Sequence, residues 1–385
     1  MAFIEEIPCT LPLARNEHRP DALGLGVIGL HEGRTLLVAA ATRCTAIRPV
    51  AGCDLSAEKR QAAARELEGL FVADDYDAML ARDDVQVVAI YTPDPLHAEH
   101  VVRAFEAGKH VICTKPLTNS LEGAARILDA GRRTGRKLLV GQSTRFFEPF
   151  RRQRAQLERG ELGGLAGIEM VDAHYVHRMD WYYRKSPWTA TDTDWTFLGL
   201  SHPIDLIRWY LGRIEEVHCY GSTSAMGREH GLAGRDIYTV NLRSADGRLG
   251  RVMGHYGLHE LPKARNSIEC VVYASGGTSM AQYHDMKLIW TGKAGDPMTE
   301  FVEDHLYAGR HYYFNSEVHG MHYGEFANYA QHFAEAILEG RPHSPNLEEG
   351  VETYCVMEAV RRSAEEGRPV AVGPLLREVG LAGGR

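Results

Sequence analysis

The chain is predicted to be an α/β protein whose first half folds as a doubly wound parallel sheet. Three observations carry this. Strand-like apolar runs alternate with helical runs from residue 25 to residue 142. The run VQVVAIY at 85–91 is almost continuously apolar and rich in β-branched residues, as strands covered on both faces are. The strand-like run ending in VIC at 113 delivers Lys115 to the carboxyl edge, where ligands of such sheets sit.

The elements follow in order. LGVI at 25–28 makes a short strand, and RTLLVAAATR, starting at Arg34, a helix. RPVAGCD gives a second strand ending at Asp54. Ser56 caps the helix AEKRQAAARELE, which Gly69 stops. After the strand at 85–91 comes the helix HAEHVVRAFEAG, with Ala98, Val102 and Phe105 on one side. HVIC is the next strand. Asn119 and Glu122 then resemble a capping box opening LEGAARILDAGRRTG, whose Leu121, Ala124, Ala125 and Leu128 share a stripe. KLLVGQ at 137–142 closes the series.

A dinucleotide needs a tight turn between the first strand and its helix. GxGxxG occurs at 24–29, but it falls inside the strand, and the motif has meaning only after one. The fitting register is the turn Gly29, Leu30, His31, Glu32, Gly33, where helix-start N–H groups face a pyrophosphate. His31 stands where a second glycine is usual. Asp54, 25 residues after Gly29, can accept both ribose hydroxyls of NAD. It would repel the extra phosphate of NADP by ~4 kcal/mol per unit charge at ~4 Å and an effective dielectric of ~20. NAD is expected in preference to NADP, although Ser56, Lys59 and Arg60 lie close enough to soften that preference.

Composition narrows the class. Of 385 residues, 44% are hydrophobic and 24% charged, enough for a core and two domains. A net charge of −8 without a basic run argues against nucleic acid or an anionic membrane as partner. Seven scattered cysteines without a CxxC pair suggest reduced thiols in the cytoplasm, not a disulfide framework or zinc site. Residues 1–22 form an arm with acids and prolines, unlike a signal peptide, and no run has the apolar length of a membrane span.

Several fragments together resemble the Gfo/Idh/MocA oxidoreductases, relatives of inositol dehydrogenase and glucose–fructose oxidoreductase. They are GVIGLHEGR, CD at 53–54, YTPDPLH at 91–97, GKHVICTKPL at 108–117, VGQSTRF at 140–146, SHPIDLIRWYLG at 201–212 and the C-terminal FAEAILEGRP…EAVRRSAEEGRPV. The resemblance covers about residues 24–375. It implies a Rossmann domain at 23–145 and, at 146–385, an α/β domain on a large, mostly antiparallel sheet for substrate and assembly. It also implies NAD(P), sugar or cyclitol substrates, and homodimers or homotetramers.

The resemblance places Lys115 beside the nicotinamide ribose and the reacting hydroxyl. Elementary chemistry agrees. An ammonium at a sheet's carboxyl edge can stabilise developing alkoxide charge, and Pro116 restricts the lysine to an extended backbone. The bland alternative is an exposed charge at a strand end. Thr114 stands where the family typically has glutamate. Thr92 and Pro93 would line the nicotinamide side, with His97 near the cofactor or merely bonding locally. By resemblance Gln142 approaches the nicotinamide and Arg145 the substrate, an interdomain salt bridge being the alternative for Arg145.

Oxidising a secondary alcohol releases a proton, and histidine's ordinary pKa near ~6.5 suits its acceptor. His202 occupies the family's catalytic position on a mostly buried helix; a structural role at a helix start is the alternative. Leu198 stands where inositol-type enzymes carry an aspartate, and Asp194 and Asp192 lie eight and ten residues before His202. The segment HYVHRMDWYYRKSPW at 174–188 offers aromatic faces for a hydroxyl-rich ring, with Tyr175 and Trp188 the candidate contacts. Core packing or a subunit contact would use the same residues. His305, His311, His319 and His322 include an HxxH, but no cysteine is near and the resemblance implies no metal, so none is expected; a loop near the pocket or an oligomer contact is the reading. The expected function is NAD-dependent dehydrogenation of a sugar, glycoside or cyclitol. The alternatives are an NAD-recycling glycoside-cleaving enzyme and a non-catalytic NAD-binding regulator.

Overall fold

A computed structural model of the protein describes residues 16–259, 267–291, 299–305, 313–314, 321–322 and 324–381. The first sheet has six parallel strands: β1 (Leu23–Ile28), β2 (Ile47–Cys53), β3 (Phe71–Ala73), β4 (Val87–Ile90), β5 (His110–Thr114) and β6 (Leu138–Gly141). Their spatial order is β3-β2-β1-β4-β5-β6, the doubly wound arrangement expected. The crossovers are α1 (Gly33–Arg43), α2 (Ala57–Glu66), α3 (Tyr76–Leu80), α4 (His97–Glu106) and α5 (Leu121–Thr134). β1, β4 and β6 are buried along nearly their whole length, which explains their unbroken apolar character.

Local signals are mostly where the sequence put them. Ser56 caps α2 through the N–H of Lys59. The capping box expected from Asn119 and Glu122 does not form. Ser120 is the cap of α5, accepting the N–H of Gly123, so the residue three positions into the helix is a glycine. Asn119 and Ser120 both precede the same apolar stripe, and the chain starts its helix one residue later than the motif suggests.

Register sets the site. Ile28 pairs with Cys53 and with Ile90, Ile90 with Cys113, and Cys113 with Val140. The residues that follow, Gly29, Asp54, Tyr91, Lys115 and Gly141, therefore emerge together along one sheet edge.

The second half begins with α6 (Glu148–Glu158) and β7 (Ile168–Val176), followed by four short helices. These are α7 (Asp180–Lys185), α8 (Trp188–Thr191), α9 (Trp195–Leu198) and α10 (Ser201–Leu211). Then come β8 (Ile214–Ser222), α11 (Ala225–Glu229), β9 (Ile237–Ser244), β10 (Leu249–His255), β11 (Ile268–Ala274), β12 (Gly277–Gln282), β13 (Lys287–Thr291) and β14 (Glu300–Asp304). A two-stranded ladder, β15 (Tyr313–Phe314) and β16 (Met321–His322), precedes α12 (Glu325–Leu338), α13 (Leu347–Glu366), β17 (Val370–Ala371) and α14 (Gly373–Glu378).

Nine strands form the second sheet, in the order β14-β13-β12-β11-β7-β10-β9-β8-β17. Neighbours are antiparallel except the parallel pair β7 and β10. Burial alternates along β9, so one face is covered and the other meets solvent. α10 lies on β7 and β10, and α13 on β8. The chain then returns. α12 packs against α1 of the first unit, where the Gln331 carboxamide accepts the N–H groups of Thr45 and Ala46 at 2.9 and 3.1 Å.

Six cysteines from Cys44 to Cys355 are free and buried. Among the described residues no group of ligands could hold a metal, and no helix is long and apolar enough to cross a membrane. His311 and His319 lie outside the described residues, and only the backbone of His322 is described. His305 bonds Glu303 at 2.9 Å. Of the arm, only residues 16–22 are described.

Candidate active site

A cleft of about 1050 Å³ runs along the carboxyl edge of the first sheet. Gly29, Asp54 and Asp74 line one end, and Tyr175, Trp188 and His202 the other. Gly29 has φ +90, and a Cβ there would lie 2.5 Å from the Tyr91 carbonyl oxygen, so only glycine makes this turn. Gly33 is needed for closeness: a Cβ would meet Val27 at 2.6 Å and Tyr91 at 3.1 Å, separating α1 from the sheet. The Asp54 carboxylate accepts the N–H of Leu30 and the N–H of Ser56, each at 2.8 Å, which fixes it at the end of β2. An open helix start, a glycine turn and a fixed carboxylate fit a dinucleotide laid along this edge.

Not every expected residue faces the cleft. His31, Glu32, Thr92, Pro93 and His97 line it. The Leu30 side chain does not; it is fully buried over Gly52, and only its N–H serves the site by holding Asp54. Pro116 contributes a carbonyl, and the peptide bond before it is cis. His97 is a bracket: its Nδ1 lies 2.7 Å from the Pro116 oxygen and its Nε2 2.8 Å from the Thr92 oxygen, tying together the loops that leave β4 and β5. Gln142 was expected near the nicotinamide, yet its neighbours Gly141 and Ser143 line the cleft and it does not. The 3-10 turn Ser143–Phe146 begins there, and the Gln142 side chain is buried with Oε1 unpartnered.

Arg145 is the clear correction. It is not on the cleft wall. Its Nε and Nη2 donate to Asp205 at 2.6 and 2.8 Å, and Nη1 to Ser344 and Glu349 at 2.9 and 3.1 Å. With four of its five N–H groups engaged inside the protein, this fork is committed to structure. It joins the end of β6 to α10 and α13.

Lys115 and His202 do meet in the cleft. The Lys115 ammonium donates to the Leu198 carbonyl at 2.8 Å. Burial lowers its pKa to about 8, with Glu32 and Asp94 pulling the other way. His202 sits in the first turn of α10, with Nδ1 2.8 Å from the Thr144 hydroxyl oxygen and the Tyr175 ring edge-on at 5.5 Å. Burial, then the nearby Lys115 charge, hold its pKa well below the ordinary value, so the imidazole is neutral at neutral pH.

Asp94 lines this end and Thr144 holds His202 from outside the lining; neither was singled out from the sequence. Burial raises the Asp94 carboxyl to about 6, against a hydrogen bond from Thr193 and the charge of Lys115. Both residues lie in quoted segments just past a strand end, which was the signal available. The aromatic stretch behaves as expected in part. Tyr175, Trp181, Tyr182 and Trp188 line the cleft, whereas Tyr183 packs inside against Trp195.

Residues 23–142 match a family model described as an oxidoreductase family with an NAD-binding Rossmann fold, and residues 154–372 match that family's C-terminal alpha/beta domain. A 1-carboxy-3-chloro-3,4-dihydroxycyclohexa-1,5-diene dehydrogenase of Comamonas testosteroni is 30% identical over 213 residues, 54% of this chain and 52% of that protein. An inositol 2-dehydrogenase of Rubrobacter xylanophilus is 25% identical over 340 residues, covering 86% of this chain and 88% of its own. With several curated relatives the match spans only about half their length. Among solved structures, a levoglucosan dehydrogenase in complex with NADH superposes with a TM-score of 0.76 at 23% identity, over 91% of this chain and 99% of that one.

Proposed function

The chain belongs to the Gfo/Idh/MocA oxidoreductase family, and from that premise we propose that it is an NAD-dependent dehydrogenase oxidising a secondary hydroxyl of a sugar, glycoside or cyclitol. One observation carries the reading: Lys115 and His202 share a cleft whose far end holds Gly29 and Asp54. The likeness to an inositol 2-dehydrogenase over most of both chains supports the cyclitol or sugar class.

The bound nicotinamide supplies the hydride acceptor. Everything else falls to the protein. Lys115 has three N–H bonds and gives one to Leu198, leaving two for the substrate oxygen, where its charge stabilises the developing alkoxide. His202 donates Nδ1–H to Thr144 and takes the hydroxyl proton at Nε2. Its low proton affinity keeps it in the accepting form throughout the neutral range. Tyr175 and Trp188 offer ring faces to substrate C–H groups. Asp54 selects NAD over NADP by charge. Residues 23–145 would hold the cofactor and residues 146–385 the substrate and assembly contacts. We place the protein in the cytoplasm as a homodimer or homotetramer. Its buried free thiols and the solvent-exposed Tyr220, Leu249 and Val302 of the second sheet support this.

A panel of inositols, aldoses and 1,6-anhydrosugars with NAD and NADP tests the reading by absorbance at the nicotinamide band. Steady NADH formation with at least one polyol, and weaker NADP use, is expected. NAD binding without any turnover across the panel would sink it.

A further inference from the structure

A carboxylate with no task in this chemistry lines the same cleft as Lys115. Asp94 opens the 3-10 turn Asp94–Leu96 just past β4. It is 2% exposed, yet it belongs to the cleft wall. Its Oδ2 accepts the Thr193 hydroxyl, and Oδ1 has no hydrogen-bond partner. A buried carboxylate oxygen without a donor is costly unless an opposite charge acts on it. The Lys115 ammonium acts on it through space, and it acts on the ammonium. The two charges share a support. Thr193, which holds Asp94, directly precedes the cap of α9, and Leu198, which holds Lys115, is the last residue of α9. One short segment of the second unit, Thr193–Leu198, thus grips both charged loops of the first.

We propose that Asp94 is a positioning residue for Lys115: the carboxylate and the ammonium, bonded to opposite ends of the segment Thr193–Leu198 and not in direct contact, act on each other through space and so keep the amine protonated at the cleft wall. The amine's task rests on the dehydrogenase reading; the pair itself does not. Other groups face the pair. Glu32, at the start of α1, favours the ammonium more than Asp94 does, and His202 from α10 is its near neighbour. Asp192, before α9, pushes Asp94 toward its protonated form, and Tyr182 on α7 feels both Glu32 and Asp94. Removing the charge at position 94 leaves Glu32 as the carboxylate named here that still supports the amine.

The test reads the amine directly. Lysines of the full-length protein are reductively dimethylated with 13C-formaldehyde, which preserves their charge, and titrated by NMR, with Lys115→Arg assigning the signal. Asp94→Asn is expected to lower the Lys115 midpoint by about one pH unit, and Asp94→Glu to restore it. Thr193→Val, which keeps the charge, is expected to leave the lysine midpoint in place. An unchanged midpoint in Asp94→Asn overturns the proposal, as does a shift of equal size in Thr193→Val, which would assign the effect to the helix and not the charge. If Asp94→Asn does not fold, Asp94→Ser carries the same comparison. No substrate is involved, so failure here leaves the dehydrogenase reading standing, and failure of that reading leaves this result interpretable. With a substrate identified, the alkaline limb of kcat in Asp94→Asn moves down by the same interval while KM changes little.

Discussion

Lys115 and Arg145 are both cations on loops leaving the first sheet, the first half-buried and the second buried, and they do opposite work. Lys115 spends one hydrogen bond on a carbonyl and keeps a face toward the cleft. Arg145 spends its guanidinium on Asp205, Ser344 and Glu349. Their replacement should separate cleanly. Lys115→Met is expected to fold normally, bind NAD and lose turnover by at least about 100-fold, read by steady-state rates and NAD titration. Arg145→Met leaves Asp205 buried without its partner and should lower unfolding free energy by about 3–5 kcal/mol, read by urea denaturation, with KM little changed in whatever folds. The sequence showed why Lys115 matters, because a strand end delivers it to a predictable edge. It could not do so for Arg145, whose carboxylate partners lie 60 and 204 positions away.

Elements with strong period were legible, and short ones were not. α1, α2, α4 and the buried strands announce themselves through continuous or periodic burial and turn glycines. β3 and α3, of three and five residues, carry no readable period and went unanticipated. The stretch TDTDWTF gave no hint that α9 would bind two catalytic-edge loops, since neither hydrogen bond is encoded by spacing. The turn after β1 is the element on which cofactor binding depends most directly. Gly29→Ala places a Cβ 2.5 Å from a backbone oxygen at φ +90. It is expected to cost about 1–3 kcal/mol of stability and to weaken NAD binding at least about tenfold, read by calorimetry. Ser56→Ala, by contrast, removes a cap and should cost about 1 kcal/mol with NAD affinity nearly intact.

At the scale of the whole molecule, buried histidines set an acid limit. Burial lowers His97 and His202, and holds His100 and His110 at about 4. Each binds a proton more readily in the unfolded chain, near ~6.5, than in the folded one. Their stability contribution is therefore complete above that value and is lost as pH falls through the window toward 4. Asp94 runs the other way, gaining as pH drops past about 6, but it is one group against six histidines, His332 and His343 being lowered by burial as well. The urea midpoint, followed by tryptophan fluorescence, is expected to be lower at pH 5 than at pH 7.5; equal midpoints would contradict this. The architecture of two sheets was implied by the resemblance, but the path of the chain was not. α12 belongs to the late sequence and lies against α1, with Ala330 and Phe333 fully buried there. During synthesis the amino-terminal half must consequently leave the ribosome with an uncovered apolar stripe and wait for roughly the last sixth of the chain. A stop codon ahead of residue 325 would yield a sticky fragment in place of an autonomous nucleotide binder.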